Sequence, residues 1–250
     1  MSLLEEITPS PRKVMTLFYL VDTSGSMSGS RIGTVNAAME ECIPLLRDVA
    51  QANDDADIKV AILQFSSGCE WITSKSDPVG LEDIIWNDLY ASGLTDFGAA
   101  LLELDRKLSR KEFLNSQTGA YAPVILLLSD GGPTDNWVAG LNKIKQNNWF
   151  KHAIKIAIDI EGESDRDVLE QFTGNPEAIL DAKDTATLKK MIHKVSVRAS
   201  EFQSHSKQSS DVITSAEDDS ADIVKAVIDD VVEDNGAGVS ADDNDWGEWD

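Results

Sequence analysis

The sequence predicts an α/β protein with a doubly wound, mostly parallel central sheet, one antiparallel edge strand and helices on both faces. Short apolar segments of strand length alternate along the chain with amphipathic helical segments, and this alternation is typical of parallel sheets with right-handed crossovers. The segment 123–129 is the most apolar and is expected to be a central strand covered on both faces. The chain has 250 residues, 42% of them hydrophobic, which is enough to build the core of such a domain.

Each strand and helix is predicted from its own pattern of residues. Strands are expected at 17–22, 58–65, 70–74, 123–129, 153–159 and 178–180, and the third of these follows its predecessor like the return strand of a hairpin. Helices are expected at 32–49, 97–113, 136–147, 165–172 and 185–199, with a short one at 81–86. The last long helix is expected to close the domain.

Three regions are predicted along the chain. Residues 1–15 contain Pro9 and Pro11 and are expected to be a lead-in to a domain that spans residues 16–203. Residues 204–250 are expected to be a largely disordered acidic tail with a marginal helix at 221–232. The tail ends in a segment that contains Trp246 and Trp249. These rings could anchor in an apolar groove of a partner, so the tail is also interpreted as a docking peptide.

Charge and composition exclude several function classes. The formal net charge is -22, and residues 205–250 hold fourteen acids and two lysines, a net charge of -12. Such a field repels nucleic acids and anionic lipid surfaces, which leaves a basic protein surface or a cation as the expected partner. No segment resembles a membrane span or a secretory signal, and Cys42 and Cys69 do not form a disulfide framework. A cytoplasmic location is therefore expected.

The segment after the first predicted strand offers oxygen ligands at alternate positions. Asp22, Ser24 and Ser26 supply one carboxylate and two hydroxyls, and Gly25 allows the backbone to turn tightly between them. Mg²⁺ prefers such hard oxygen ligands and keeps several waters. The sequence therefore predicts part of a metal site with positions open for another group.

Two further loops could complete this site, although each has a simpler explanation. Thr95 lies just before a predicted helix, and Asp130 follows the most apolar strand. Thr95 or Asp96 could be only a helix N-cap, the Asp22–Ser24 segment could be a turn that satisfies its own backbone, and Asp130-Gly131 is a common turn pair. In a doubly wound sheet, however, ligands bind beyond the carboxyl ends of strands where the strand order reverses. Convergence of the loops there would favour metal binding.

Taken together, the three loops resemble the metal-ion-dependent adhesion site of von Willebrand factor A domains. The resemblance covers roughly residues 15–200 and implies a Rossmann-like fold. It also implies that Asp22, Ser24, Ser26, Thr95 and Asp130 hold a divalent ion, Mg²⁺ with Mn²⁺ as an alternative. In that family the serines and often the threonine bind the ion directly, and the two aspartates bind it directly or through water. A partner's Asp or Glu takes the remaining position, and a switch of the threonine between direct and water-bridged contact could tune the affinity.

A subgroup is suggested by residues 129–135, which resemble those of the bacterial tellurite-resistance TerY type. Members of that group are associated with a protein kinase and a PP2C-type phosphatase. The resemblance implies a non-enzymatic recognition or scaffold subunit in a stress-signalling assembly.

Two alternatives remain open. The first is a metal-dependent phosphatase-like hydrolase, since a strand that ends in an aspartate resembles haloacid-dehalogenase phosphatases. Those enzymes need a second aspartate two residues later, where this chain has Ser24. A Ser24 nucleophile would need an activating base, which His152, His193 and His205 do not obviously supply. The second alternative is an ion that only stabilises the fold.

Overall fold

A sheet of seven strands forms the centre of the computed structural model, which describes residues 12–130, 132–161, 165–205 and 216–236. The strands are β1 (Lys13–Asp22), β2 (Ala56–Ser66), β3 (Gly68–Trp71), β4 (Val79–Gly80), β5 (Val124–Ser129), β6 (Ile154–Ile160) and β7 (Ile179–Ala182). They are ordered β3-β2-β1-β5-β6-β7, with β4 also paired to β2. Strands β1, β2, β5, β6 and β7 pair in parallel, whereas β3 and β4 run antiparallel to β2. The predicted fold class is confirmed.

Helices cover both faces of the sheet. One face carries α1 (Ser30–Ala52), α6 (Thr185–His205) and α7 (Ala216–Gly236). The other carries α2 (Phe97–Lys107), α3 (Trp137–Ile144), α4 (Asn148–Lys151) and α5 (Arg166–Thr173). Side chains of β1 alternate between the two cores, so Tyr19 packs on the first face and Phe18 on the second. No described helix combines the length and apolar character needed to cross a membrane.

Helix α2 is shorter than the predicted 97–113. It ends at Lys107, and Leu108 leaves the helical conformation with a ψ of 66°. The chain then turns so that Phe113 enters the core, with its ring centroid 4.7 Å from that of Trp71 and stacked on Phe18 at 6.2 Å. Burying this ring in an aromatic cluster competes with continuing the helix. Similarly, the short helix predicted at 81–86 is only a 3₁₀ turn at Leu81–Asp83.

The tail helix is longer than predicted and packs on the domain. Helix α7 begins at Ala216, before the predicted 221, and contacts α6, β6 and the 3₁₀ turn Pro176–Ala178. Ile223, Val224 and Val227 are at most 2% exposed, so the expectation of disorder does not hold for this segment. The spacing of the apolar residues gives the helix one apolar face, and this face packs against α6 and β6.

The predicted region boundaries fall inside elements. Residue 15 lies within β1 and residue 204 within α6. Most of the predicted lead-in and the Trp246–Trp249 segment lie outside the described residues, so the docking-peptide interpretation stays a prediction.

Candidate metal centre

The candidate site lies where the strand order of the sheet reverses. Strand β1 has β2 on one side and β5 on the other, so the carboxyl ends of β1 and β5 meet at this edge. The register pairs Val21 with Leu128, which places Asp22 beside Ser129. The hydroxyl of Ser129 donates a hydrogen bond of 2.6 Å to Asp22 Oδ2. The sequence therefore forms one polar cluster from two loops that are more than a hundred residues apart.

Four of the five predicted ligands form a continuous chain of contacts. The backbone N–H of Ser24 donates to Asp22 Oδ1 at 2.8 Å. The Oγ atoms of Ser24 and Ser26 lie 3.0 Å apart, and Ser26 Oγ donates to Asp130 Oδ1 at 2.8 Å. Asp22, Ser24 and Asp130 are almost fully buried, and Ser26 is exposed. The geometry therefore gives a buried base of oxygens that opens to solvent at Ser26.

Thr95 joins the same site from the loop before α2. It lines a cleft of about 420 Å³ together with Ser26, Asp130, Arg31 and Thr134. Thr134 holds it in place on both sides, because Thr95 N–H donates to Thr134 Oγ1 and Thr134 N–H donates to the Thr95 carbonyl, each at 2.9 Å. All five predicted ligands thus lie at one edge of the sheet.

The alternative interpretation of Thr95 and Asp96 as N-caps is not what the structure shows. Asp96 precedes α2, but its carboxylate accepts the N–H of Gly68 at 2.8 Å. The first turn of α2 is instead capped by Asp135, whose two oxygens accept the N–H groups of Gly98 and Ala99 at 3.0 Å each. Asp135 belongs to the loop after β5. This contact ties the second and third loops of the site together.

Two glycines join the first and second loops at close range. Gly25 N–H donates to the Gly93 carbonyl at 3.1 Å, and a side chain at Gly25 would press against that same oxygen. Gly93 has a φ of +81°, and a Cβ there would lie 2.6 Å from Ser67 Oγ. The position of Gly93 therefore requires glycine, and that of Gly25 leaves little room for a side chain. The contact sets the distance between the Asp22 segment and the Thr95 segment.

The electrostatics of the site suit a bound cation. Burial raises the pKa of the Asp22 carboxyl above its ordinary value of 3.8, and the nearby Asp130 acts in the same direction. Hydrogen bonds from Ser129 and Ser24 oppose this increase. Two buried acids side by side are costly when ionised, and a divalent cation would offset that cost.

The donor set determines what kind of ion fits. No three His, Cys, Asp or Glu side chains form a metal cluster within the described part of the chain. This site has two carboxylates, and its other oxygens are hydroxyls of serine and threonine. Such hard, weakly charged oxygens fit Mg²⁺ or Mn²⁺ and leave coordination positions for water or a ligand.

Sequence reasoning missed several residues of the site. Arg31 Nη1 donates to Asp130 Oδ2 at 2.7 Å and its Nε donates to Glu161 Oε2 at 2.9 Å. Ser129 and Asp135 lie inside the segment that was singled out, but their contacts depend on strand register and loop packing. One feature of the sequence could have indicated Arg31: it lies only five residues after Ser26, at the start of α1.

The family model for the von Willebrand factor type A domain matches residues 17–194. This match spans most of the chain and includes all five predicted ligands. The chain belongs to the von Willebrand factor type A domain family. A comparison with curated proteins found no significant match.

Solved von Willebrand factor A structures share the fold at low sequence identity. The pilus adhesin SpaC of Lactobacillus rhamnosus GG aligns with a TM-score of 0.59 and 13% identity over 76% of this chain and 31% of its own. Proximal thread matrix protein 1 of the mussel byssus, with a zinc-occupied metal-ion-dependent adhesion site, gives 0.53 and 15% over 75% and 48%. The manganese-loaded TRAP protein of Plasmodium vivax gives 0.51 and 20% over 74% of each chain. This chain therefore spans only about a third to half of the first two proteins.

Proposed function

We propose that this von Willebrand factor A protein is a Mg²⁺-dependent protein-binding module, with Mn²⁺ as an alternative ion. Ser24 and Ser26 would be direct ligands, Thr95 a direct or water-bridged ligand, and Asp22 and Asp130 ligands that balance the charge. The observation that carries the proposal is the chain of contacts from Asp22 through Ser24 and Ser26 to Asp130. It brings the oxygens together next to an open cleft that Ser26 and Asp130 line. The metal-loaded sites of the mussel and Plasmodium proteins support the choice of ligand class.

The partner is proposed to supply an Asp or Glu carboxylate. A divalent ion among two carboxylates and neutral hydroxyls would keep affinity for one more anionic oxygen. The cleft opens to solvent at Ser26, so a side chain on another protein could reach the ion. The partner is further proposed to belong to a cytoplasmic bacterial stress or tellurite-resistance assembly with a protein kinase and a PP2C-type phosphatase. That assignment rests on the resemblance of residues 129–135 to the TerY type.

We propose that the protein is not an enzyme. Asp22 is fully buried, and both of its oxygens accept hydrogen bonds, which makes it a poor nucleophile. The hydroxyl of Ser24 lies 3.0 Å from that of Ser26. It also hydrogen-bonds to the Asp22 carboxylate, which already accepts the Ser24 N–H and the Ser129 hydroxyl and so holds the loops together. Burial raises the pKa of Cys42 to about 12 and that of Cys69 to about 11, so neither thiol is activated.

Calorimetric titration of the metal-free full chain with Mg²⁺ tests the site. Ser26→Ala is expected to weaken binding by about tenfold or more, because each lost ligand removes an oxygen that the ion must recover from water. Ser28→Ala is the matched control, since this exposed serine lies in the same segment. Wild-type protein that binds no divalent ion, or equal effects of the two substitutions, would contradict the proposed site.

Capture of partners from the native cell, with and without chelator, tests the function. A kinase or phosphatase retained by wild type only with Mg²⁺, and lost with Ser26→Ala, is the expected result. A phosphomonoester assay separates the enzymatic alternative, which would be supported by Mg²⁺-dependent turnover that Asp22→Asn abolishes. If Asp130→Ala melts the domain at lower temperature yet leaves capture intact, the ion only stabilises the fold.

A further inference from the structure

Arg31 occupies a central place in the cleft that metal binding alone does not require. Its guanidinium donates from Nη1 to Asp130 Oδ2 at 2.7 Å and to the Ser26 carbonyl at 3.1 Å. From Nε it donates to Glu161 Oε2 at 2.9 Å. Arg31 therefore links the loops after β1, β5 and β6. Its side chain is 18% exposed, compared with 1% for that of Asp130, so the positive charge lies between the buried acid and the opening of the cleft.

Both oxygens of the Asp130 carboxylate accept a hydrogen bond. Oδ1 accepts the hydroxyl of Ser26 and Oδ2 accepts Arg31. A charge-assisted hydrogen bond to a guanidinium withdraws negative charge from the carboxylate. Any ion held beside Asp130 must share that carboxylate with a fixed positive charge, and like charges at such range repel strongly in a partly buried site.

Glu161, which accepts the Nε–H of Arg31, has an uncommon backbone conformation. Its φ of +68° lies in the left-handed region that side chains other than glycine rarely adopt. The conformation is secured because its N–H donates to the Ala182 carbonyl at 2.8 Å and its Oε1 accepts the hydroxyl of Ser30 at 2.9 Å. Local strain persists only where the surroundings impose it. Here the imposed geometry presents a carboxylate to Arg31 and so partly balances its charge.

We propose that Arg31 is a specificity-determining residue that lowers the affinity of the site for the divalent ion and raises its affinity for an incoming carboxylate. This inference rests on the proposed function of the site. Arg31 neutralises part of Asp130, so the ion remains less neutralised and attracts an anion more strongly. The guanidinium also adds its own positive charge to the wall of the cleft. The negative charge of Glu161 partly cancels the positive charge of Arg31, so Glu161 limits the effect of Arg31 on the ion and on the incoming carboxylate.

The two residues predict opposite effects on metal affinity. Arg31→Gln should tighten Mg²⁺ binding by about tenfold, because it removes a positive charge that shares Asp130 with the ion. Glu161→Gln should weaken Mg²⁺ binding severalfold, since the charge of Arg31 then loses its counterion. Arg31→Lys keeps the positive charge but not the separate contacts to Asp130 and Glu161, so it should lie closer to wild type than Arg31→Gln does. Arg106→Gln is the matched control, because Arg106 pairs with Glu103 on the exposed surface of α2.

The experiment is calorimetric titration of the metal-free full chain with Mg²⁺, followed by an acetate titration of the Mg²⁺-saturated protein observed by amide NMR shifts of the cleft. Acetate should bind severalfold more weakly to Arg31→Gln than to wild type. Thermal unfolding of each metal-free variant verifies that it is folded, and Glu161→Gln tests the idea independently if Arg31→Gln does not fold.

Several outcomes overturn the inference. If Arg31→Gln weakens Mg²⁺ binding or leaves it unchanged, Arg31 only positions Asp130. Arg31→Lys that behaves like Arg31→Gln would show that charge is not the cause. A wild-type chain that binds no Mg²⁺ refutes the proposed function itself, whereas normal binding with equal affinity in all variants refutes only the role of Arg31.

Discussion

Helix α7 offers a sharp test of how the chain beyond the family match contributes to the domain. Val227 is fully buried against the α6 side of the sheet, whereas its neighbour Ile228 is 44% exposed. Replacing each with alanine compares a buried and an exposed position in the same turn. Alanine improves helix propensity at both positions, so that contribution largely cancels in the comparison.

The magnitude follows from the carbons that are removed. Val227→Ala deletes two buried methyl groups at about 0.8 kcal/mol each, and the cavity left behind adds to this. We therefore expect the docking of α7 to lose about 2 kcal/mol. Ile228→Ala deletes more carbon but from a half-exposed side chain, and should cost less than about 1 kcal/mol.

Hydrogen exchange measured by mass spectrometry is the suitable assay, because a peripheral helix can detach before the domain unfolds. A loss of about 2 kcal/mol should speed exchange of the amides of residues 216–236 by roughly 30-fold if detachment controls exchange. Peptides from β1 and β5 should be unaffected and serve as the internal reference. Equal exchange rates in the two variants would refute the packing described for α7.

Two further predictions concern the site. The raised pKa of Asp22 means that the folded chain binds a proton more tightly than the unfolded chain, so metal-free wild type should lose stability as pH rises from the ordinary 3.8 through that raised pKa. Asp22→Asn should remove this loss, and urea unfolding between about pH 4 and pH 7 would contradict the reasoning if both proteins showed the same slope. Asp135→Ala should cost about 1–2 kcal/mol in urea unfolding, because two N–H groups of α2 lose their acceptor. Asp165→Ala is its control, since Asp165 accepts no capping hydrogen bond from the described first turn of α5, and an equal cost there would argue against the cap.

The sequence predicts most of the sheet and the place of the site. The strand predicted at 123–129 begins one residue later in the structure, at Val124, and is otherwise reproduced, because a continuous apolar run followed by polar residues leaves little choice of boundary. The three loops converge because parallel strands bring their carboxyl ends to one edge. The sequence separation of the loops then has little influence on whether they meet. Asp22 and Asp130 could therefore be predicted to lie together without knowledge of the register between β1 and β5.

Other features depend on which surfaces meet, and the local pattern does not encode this. The apolar positions around 108–113 fit a helix, yet Phe113 gains more contacts in the aromatic cluster with Phe18 and Trp71. The cap of α2 comes from Asp135, 37 residues away from Gly98, where no local rule would look for it. The tail pattern predicted a helix but not the surface that receives it.

The position of α7 has a practical consequence for truncation of the protein. The family match stops at residue 194, the tenth residue of α6 and well before α7. Truncation there would remove Val195 and Ala199 of α6 and the buried apolar side chains of α7, among them Ile223, Val224 and Val227. The apolar surface exposed in this way would favour aggregation of the truncated protein. Precipitation of such a truncated protein would then reflect the exposed apolar core, and would say nothing about the cleft at the carboxyl ends of β1 and β5.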